Sequence, residues 1–369
     1  MITATKSSAK ISASAHAKPY FLGVDVGGTN IKIGLVSDMG KTLACASIDT
    51  RAAENAQQAI ERAAETCRQL VQQVGVAWAD VAAAGLGTPG PMSLAEGCLL
   101  DPSNLPAWHN FHARQALEKA LEKPVSFIND ANAAALGEAW IGAGLGHPSL
   151  ALFTLGTGVG GGLISEGRLI NGVNSFGSEM GHMVVDSRPD ARLCVWGGGR
   201  GQLEAYASAS AVAAQAMLGV HSGVESSLCR SSKARSINDN PTETRPIETR
   251  PIDENRAMEI TAKDVYQAAL EGDAFALELI DEAAFYLGIG VTTAVHMIDP
   301  GLVLFGGAMS FGGSSCPVGR RFLQRAIDEF ERRTFDNVFA GTRIEFATLG
   351  GDAGYIGAAA YARQEFQGN

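Results

Sequence analysis

The chain has 369 residues, too many for one small module and enough for two domains of ordinary size. Hydrophobic residues make up 46% and charged residues 18%, so a sizeable core is available and global disorder is excluded. With 29 Lys and Arg against 39 Asp and Glu the formal charge is −10, a sign that repels phosphate backbones and anionic lipid and argues against a nucleic-acid or membrane-surface partner.

Residues 1–18 are rich in Ala, Ser and Lys and contain no acid. They lack the apolar stretch of a secretory signal and read as a disordered tail. Residues 20–26, 31–37 and 42–48 read as a three-strand antiparallel meander. Its turns are Gly27-Gly28-Thr29-Asn30 and Asp38–Lys41. Residues 53–74 carry helical periodicity through Ile60, Ala63, Cys67, Leu70 and Val71. A short apolar strand at 81–86 runs into the turn Gly87-Thr88-Pro89-Gly90-Pro91. A helix at 112–119 and a strand at 125–128 follow, then a helix of small residues at 131–140. The strand at 150–155 ends in the densest glycine cluster of the chain, Gly156 to Gly162. Residues 163–165 and 168–170 form a hairpin around Glu166-Gly167, and a helix is expected over 203–218.

Residues 222–256 are polar and repeat the pentapeptide ETRPI at 243–247 and 248–252, the pattern of a flexible surface insertion. Helical periodicity resumes at Ala262 and is expected to run to about His296. A buried strand at 302–305, the turn Gly306-Gly307, a strand at 343–347, the loop Gly350-Gly351 and an Ala-rich helix at 353–366 complete the chain. Alternating strands and helices give an α/β class, and the helix-rich second half points to a second lobe after about residue 130. The six cysteines (Cys45, Cys67, Cys98, Cys194, Cys229 and Cys316) are scattered, with no CxxC spacing. They read as reduced thiols of a cytoplasmic protein. No apolar run reaches the ~18 residues that span a bilayer.

The excess of glycine, 44 of 369 residues against a usual ~7%, lies in a few loops. In Asp25-Val26-Gly27-Gly28-Thr29-Asn30 the glycines let backbone N–H groups turn toward an anion, and the Thr hydroxyl adds a donor. A carboxylate ending the preceding strand can hold water on a divalent metal. The competing reading is a bare hairpin turn. Gly156-Thr157-Gly158-Val159-Gly160-Gly161-Gly162 formally contains GxGxxG, but a dinucleotide fingerprint requires a helix after the glycines, and here a strand follows. No GxxxxGK[ST] exists. Two strand–glycine–Thr–strand hairpins remain, one opening each half of the chain. They suggest two phosphate-holding turns facing each other across a cleft, with Gly306-Gly307 under a nucleobase. Asn129-Asp130 sits between a strand and a helix, where Asp130 is either a helix N-cap or a carboxylate facing a cleft.

Taken together, LGVDVGGTNIKIGLV, GLGTPGP, FINDANAAALGEAW, LGTGVGGG, EMGH, GQLEAYAS, IDPGLVLFGGAM and LGGDAGYIGAA resemble the ROK family of sugar kinases, within the actin/hexokinase-like superfamily. The segments occur in the family's order from about residue 20 to 362. The resemblance implies a two-lobed α/β fold on ribonuclease-H-like cores, with sugar and ATP in the cleft between the lobes. The lobes are expected at 19–129, joined by the C-terminal helix 353–369, and at 130–352. The resemblance also implies a cytoplasmic homodimer. It makes Asp130 the base that accepts the sugar hydroxyl's proton, and Asn104, Asn129, Asp130, Glu179, His182 and Glu204 the sugar ligands. ATP falls to Asp25, Gly27, Gly28, Thr29, Asn30, Gly156, Thr157, Gly158, Gly306 and Gly307, with Mg²⁺ arriving on the nucleotide and Asp25 acting on it indirectly. Lys32 reads equally as a phosphate contact and as part of a solvated face. By itself His182 would read equally as a structural histidine and as a ligand.

One departure stands out. Many relatives hold a structural zinc with this histidine and the cysteines of a CxCGxxGCxE pattern. Here the stretch is LCVWGGGRGQLE, which puts Val195, Gly197 and Gln202 at the cysteine positions, so no structural zinc is expected. The favoured activity is ATP-dependent phosphorylation of glucose to the 6-phosphate. The alternatives are N-acetylmannosamine, N-acetylglucosamine, fructose or allose as the acceptor. A sugar-responsive repressor, which the family also contains, would need a DNA-binding segment longer than the roughly 19 residues before the first strand.

Overall fold

Strand β1 (Tyr20–Val26) is buried along its whole length except at Asp25, because it runs through the middle of a sheet. The computed structural model describes residues 18–51, 55–194, 199–229 and 260–368. The expected tail (residues 1–17) and most of the expected insertion (230–256) lie outside the described residues. Lys18 is described and pairs with Asp80 at 2.7 Å.

After β1 come β2 (Asn30–Ser37), β3 (Thr42–Asp49), α1 (Ala56–Val74) and β4 (Val81–Thr88). A small hairpin, β5 (Met92–Ser93) and β6 (Cys98–Leu99), then leads to α2 (Ala113–Leu121), β7 (Val125–Asn129) and α3 (Asp130–Ile141). The first sheet has the order β3-β2-β1-β4-β7, with β1 to β3 antiparallel and β4 and β7 parallel to β1.

The second half repeats this plan. It contains β8 (Leu150–Leu155), β9 (Val159–Ser165), β10 (Arg168–Leu169), α4 (Glu204–Ala207) and α5 (Ala209–His221). These are followed by α6 (Ala262–Leu270), α7 (Ala274–Ile298), β11 (Leu302–Gly306), α8 (Pro317–Glu331), α9 (Asp336–Gly341), β12 (Arg343–Phe346) and α10 (Ala353–Gly368). Its sheet order is β10-β9-β8-β11-β12, again an antiparallel trio with two parallel strands added beside its first member.

Two expected helices are each broken in two. The helix over 203–218 stops at Ser208, whose hydroxyl accepts from the Ala211 N–H at 3.1 Å and starts α5 afresh. The helix from Ala262 stops after Leu270, and Asp273 restarts it by accepting from the Ala276 N–H at 2.9 Å. In both places a short polar side chain satisfies an end N–H better than it would sit inside a helix.

Each sheet builds its own core. Leu22, Ile33, Ile60, Leu86 and Trp108 lie in the first. Phe153, Phe305, Phe322 and Phe330 lie in the second, where the Phe305 ring meets Phe153, Phe322 and Phe346 edge to face. Burying such a side chain is worth roughly 1.5–3 kcal/mol. Between the two sheets run α3, packed on β8 and β9, and α10, packed on β1 and β4. The two helices touch backbone to backbone. A methyl on Gly137 would run into the Ala353 carbonyl, and one on Gly357 into the Ala133 carbonyl. Only glycine permits so close an approach. Among the described residues no helix is long and apolar enough to cross a membrane.

Candidate active site

Parallel strands aim their carboxyl ends the same way, and in open α/β sheets ligands collect there. In the first sheet Asp25 is level with Gly87, and Thr88 with Asn129. In the second sheet Thr154 is level with Gly306, and Phe305 with Phe346. These ends border two adjoining cavities of about 490 and 810 Å³. Asp130, Ala131, Thr154 and Gly307 line both.

The smaller cavity takes Asp25 and Gly27 from the first hairpin and Gly306 and Gly307 from the end of β11. Further lining comes from 312–315 and from Gly350-Gly351. The larger cavity is lined by Asn104, Asn129, Asp130, Glu179, His182 and Glu204. All six residues expected at a sugar therefore share one cavity. Gly90 and the half-exposed ring of Phe176 complete its rim.

The glycine residues expected at the nucleotide divide. Asp25, Gly27, Gly306 and Gly307 line the smaller cavity. Gly156, Thr157 and Gly158 line the larger one. Gly28 packs beside Asn104, while Thr29 and Asn30 sit exposed at the hairpin tip, outside both linings. Lys32 donates to the Gly351 carbonyl and so ties β2 to a loop of the smaller cavity. Thr154 and the loop 310–315 are lining residues that the sequence did not single out. Thr154 lies within β8 near its carboxyl end and 310–315 follows β11, and only those places at strand ends could have pointed to them.

Asp130 is not the cap of α3. Asn129 fills that place, its Oδ1 accepting from the Ala131 and Asn132 N–H groups at 3.0 and 3.2 Å. The Asp130 carboxylate also accepts from Ala131 N–H, at 2.8 Å. Burial raises its pKa, and the backbone N–H groups and the Asn129 side chain pull against that rise. Asp25 is pushed up to about 7 by burial, with the Asp130 charge adding to the rise and Lys32 opposing it. Burial likewise raises Glu179, while His182 opposes the rise and Asp130 and Glu204 add to it. The cleft thus concentrates carboxylates that repel one another and would be relieved by a cation or by hydroxyl donors.

Glu204 is held under the second hairpin. Its Oε2 accepts from the Val159 N–H at 3.0 Å, and its Oε1 from the Cys194 thiol at 3.2 Å. A Cβ on Gly158 would overlap Glu204 Oε2, so the glycine there makes room for the acid. His182 Nδ1 lies 3.2 Å from Gln202 Oε1, and its Nε2 lies 4.0 Å from Glu179 Oε2.

These donors do not fit a structural zinc. A structural site takes four N or S ligands, and among the described residues this loop offers one imidazole and one thiol, the thiol donating to Glu204. No cluster of three His, Cys, Asp or Glu side chains suits a metal among the described residues. Asp25 and Asp130 do fit magnesium of the kind that keeps its waters and is held mainly by phosphate oxygens.

The ROK family model matches residues 21–365. The chain is 32% identical over 346 residues to the glucokinase of Halalkalibacterium halodurans, covering 94% of this chain and 96% of that one. Its structure is similar to the ROK hexokinase of Thermus thermophilus, with a TM-score of 0.76 and 29% identity, covering 95% of this chain and 100% of that one. It is also similar to a ROK family glucokinase of Streptomyces griseus, solved in complex with glucose and AMPPNP, with a TM-score of 0.70 and 28% identity over 94% of this chain and 99% of that one. The fold is the two-lobed, actin-like α/β arrangement of these structures.

Proposed function

The chain belongs to the ROK family, and we propose that it transfers the γ-phosphoryl group of ATP to a hexose, glucose being the favoured acceptor and glucose 6-phosphate the product. The observation that carries this reading is the place of Asp130 in the wall common to the two cavities. A nucleotide fits the smaller, glycine-lined cavity, where backbone N–H groups can meet phosphate oxygens. A sugar fits the larger one, where acids, amides and an imidazole match its hydroxyls. The lobes are assigned as 19–129 with 353–369, and 130–352.

In this reading Asp130 takes the proton from the acceptor hydroxyl as that oxygen bonds to the γ-phosphorus. The bond from the γ-phosphorus to the β–γ bridging oxygen breaks, and ADP leaves with the electron pair. Burial strengthens Asp130 as a base, and the N–H groups at the start of α3 keep enough of it ionised to act. Asn129 fixes the turn that aims it. Glu179, His182 and Glu204 orient the sugar, and alignment of this kind supplies much of the rate in phosphoryl transfer. Magnesium bound to ATP would neutralise phosphate charge, with Asp25 and Asp130 facing it.

A coupled assay of ADP release across glucose, mannose, fructose, allose and the two N-acetylhexosamines tests the reading. Glucose is expected to give the highest kcat/KM. Turnover with none of them would overturn the kinase assignment and leave a sugar-responsive regulator as the better account.

A further inference from the structure

His182 and Glu204 stand at the two ends of an excursion of the chain, and the ends are laced together. Leu203 N–H donates to the Met183 carbonyl at 2.8 Å, and Val185 and Asp186 N–H donate to the Gly201 carbonyl at 2.8 and 3.1 Å. Val184 and Gln202 are antiparallel bridge partners. Asp186 anchors the base of this ladder. It accepts from the Tyr206 hydroxyl at 2.6 Å and from two guanidinium nitrogens of Arg188 at 2.9 and 2.7 Å. Those donors hold its carboxyl well below the usual carboxylate range. The backbone therefore delivers Gln202 beside His182 through protein contacts alone.

We propose that Gln202 is the positioning residue for His182, holding the imidazole with its proton on Nδ1 so that the Nε2 lone pair faces the sugar. This inference rests on the hexose reading above. A neutral imidazole has one donor and one acceptor, and the partner of one nitrogen decides the role of the other. Gln202 Oε1 is an acceptor 3.2 Å from Nδ1, so the proton belongs there. Nε2 then becomes an acceptor 4.0 Å from Glu179 Oε2. That gap is too wide for a hydrogen bond between the two groups. It suits two neighbouring hydroxyls of one sugar, each donating to its own acceptor. An amide carries no charge, so it fixes the tautomer without withdrawing electrons from the ring as a metal would.

Two measurements test this. The first uses ¹⁵N-labelled protein without substrate and reads the side-chain nitrogens of His182 by long-range ¹H–¹⁵N correlation. The expected signature is a protonated Nδ1 and a bare Nε2 in the native chain, replaced by a tautomer mixture in Gln202→Leu. The second is steady-state kinetics at pH 8. Gln202→Leu is expected to raise KM for the hexose about tenfold, with kcat and KM for ATP changed less than twofold. Gln202→Glu, which keeps the acceptor, is expected to restore KM to within about threefold of the native value.

A native Nε2–H tautomer overturns the proposal, as does an unchanged hexose KM in Gln202→Leu or stoichiometric zinc in the purified protein. A parallel decline of kcat and both KM values in Gln202→Leu and Gln202→Glu alike also overturns it, since that is the mark of general disruption. If the protein phosphorylates no hexose, the kinase reading fails alone and the nitrogen spectrum still decides whether Gln202 sets the tautomer.

Discussion

The two glycine hairpins look alike in the sequence and are used differently in the fold. The β1–β2 turn offers the smaller cavity only Asp25 and Gly27, and its tip, with Thr29 and Asn30, stays exposed. The β8–β9 turn sits on Glu204, which accepts its Val159 N–H, and its tip lines the larger cavity. The difference lies in what packs beneath each turn. Gly28 has Asn104 at ordinary contact distance, while Gly158 has a carboxylate where its own side chain would be. A local glycine signal marks a place where backbone meets something. The identity of that something comes from a residue 46 positions further on, as with Gly158 and Glu204.

That contrast can be tested in order of effect. Asp130 belongs to neither hairpin and serves both cavities, so Asp130→Asn should lower kcat by about 10²–10⁴-fold while calorimetry still detects sugar binding. Gly158→Ala pushes on a buried acid. It should raise KM for the hexose about tenfold, the equivalent of one lost hydrogen bond, and leave KM for ATP nearly unchanged. Asp25 affects stability through its proton. Its folded pKa of about 7 exceeds the ordinary carboxyl value of 3.8, so the folded state holds a proton that the unfolded state has lost between those values. Stability therefore falls as pH rises from about 4 to about 7. Asp25→Asn removes that dependence and should raise the melting temperature of the substrate-free protein by about 2–4 °C at pH 8 and not at pH 4, as read by calorimetry. Gly28→Ala should be the mildest, within about 0.5 kcal/mol in stability. A strong loss of activity in Gly28→Ala, with none in Gly158→Ala, would reverse the distinction drawn between the hairpins.

Much of this was legible from residue patterns. The first meander, the strand before Asn129, and the glycine turns follow from alternation and turn chemistry. The six polar residues at the larger cavity follow from motif resemblance. The breaks at Ser208 and Asp273 were hidden because a helical period continues across both, and only a side chain folding back on its own backbone interrupts it. The cap at Asn129 was missed for a related reason. Asn and Asp are both good caps, and the choice between them depends on where β7 ends. Gln202 was visible only as a missing cysteine. Its pairing with His182 requires two segments twenty residues apart to lie antiparallel, which no local pattern reports.

The crossing of Gly137 and Gly357 sets a limit on how such a molecule can adapt. With main chain against main chain, the spacing of the layers that carry β7 and β8 is already at its minimum and involves no rotamer that could be exchanged. Asp130 opens the same helix as Gly137, so its distance from both rows of strand ends is tied to that joint. A larger molecule in the larger cavity would have to be accommodated by the rim, at Gly90 or Phe176, because widening the joint would displace the carboxylate from both cavities at once.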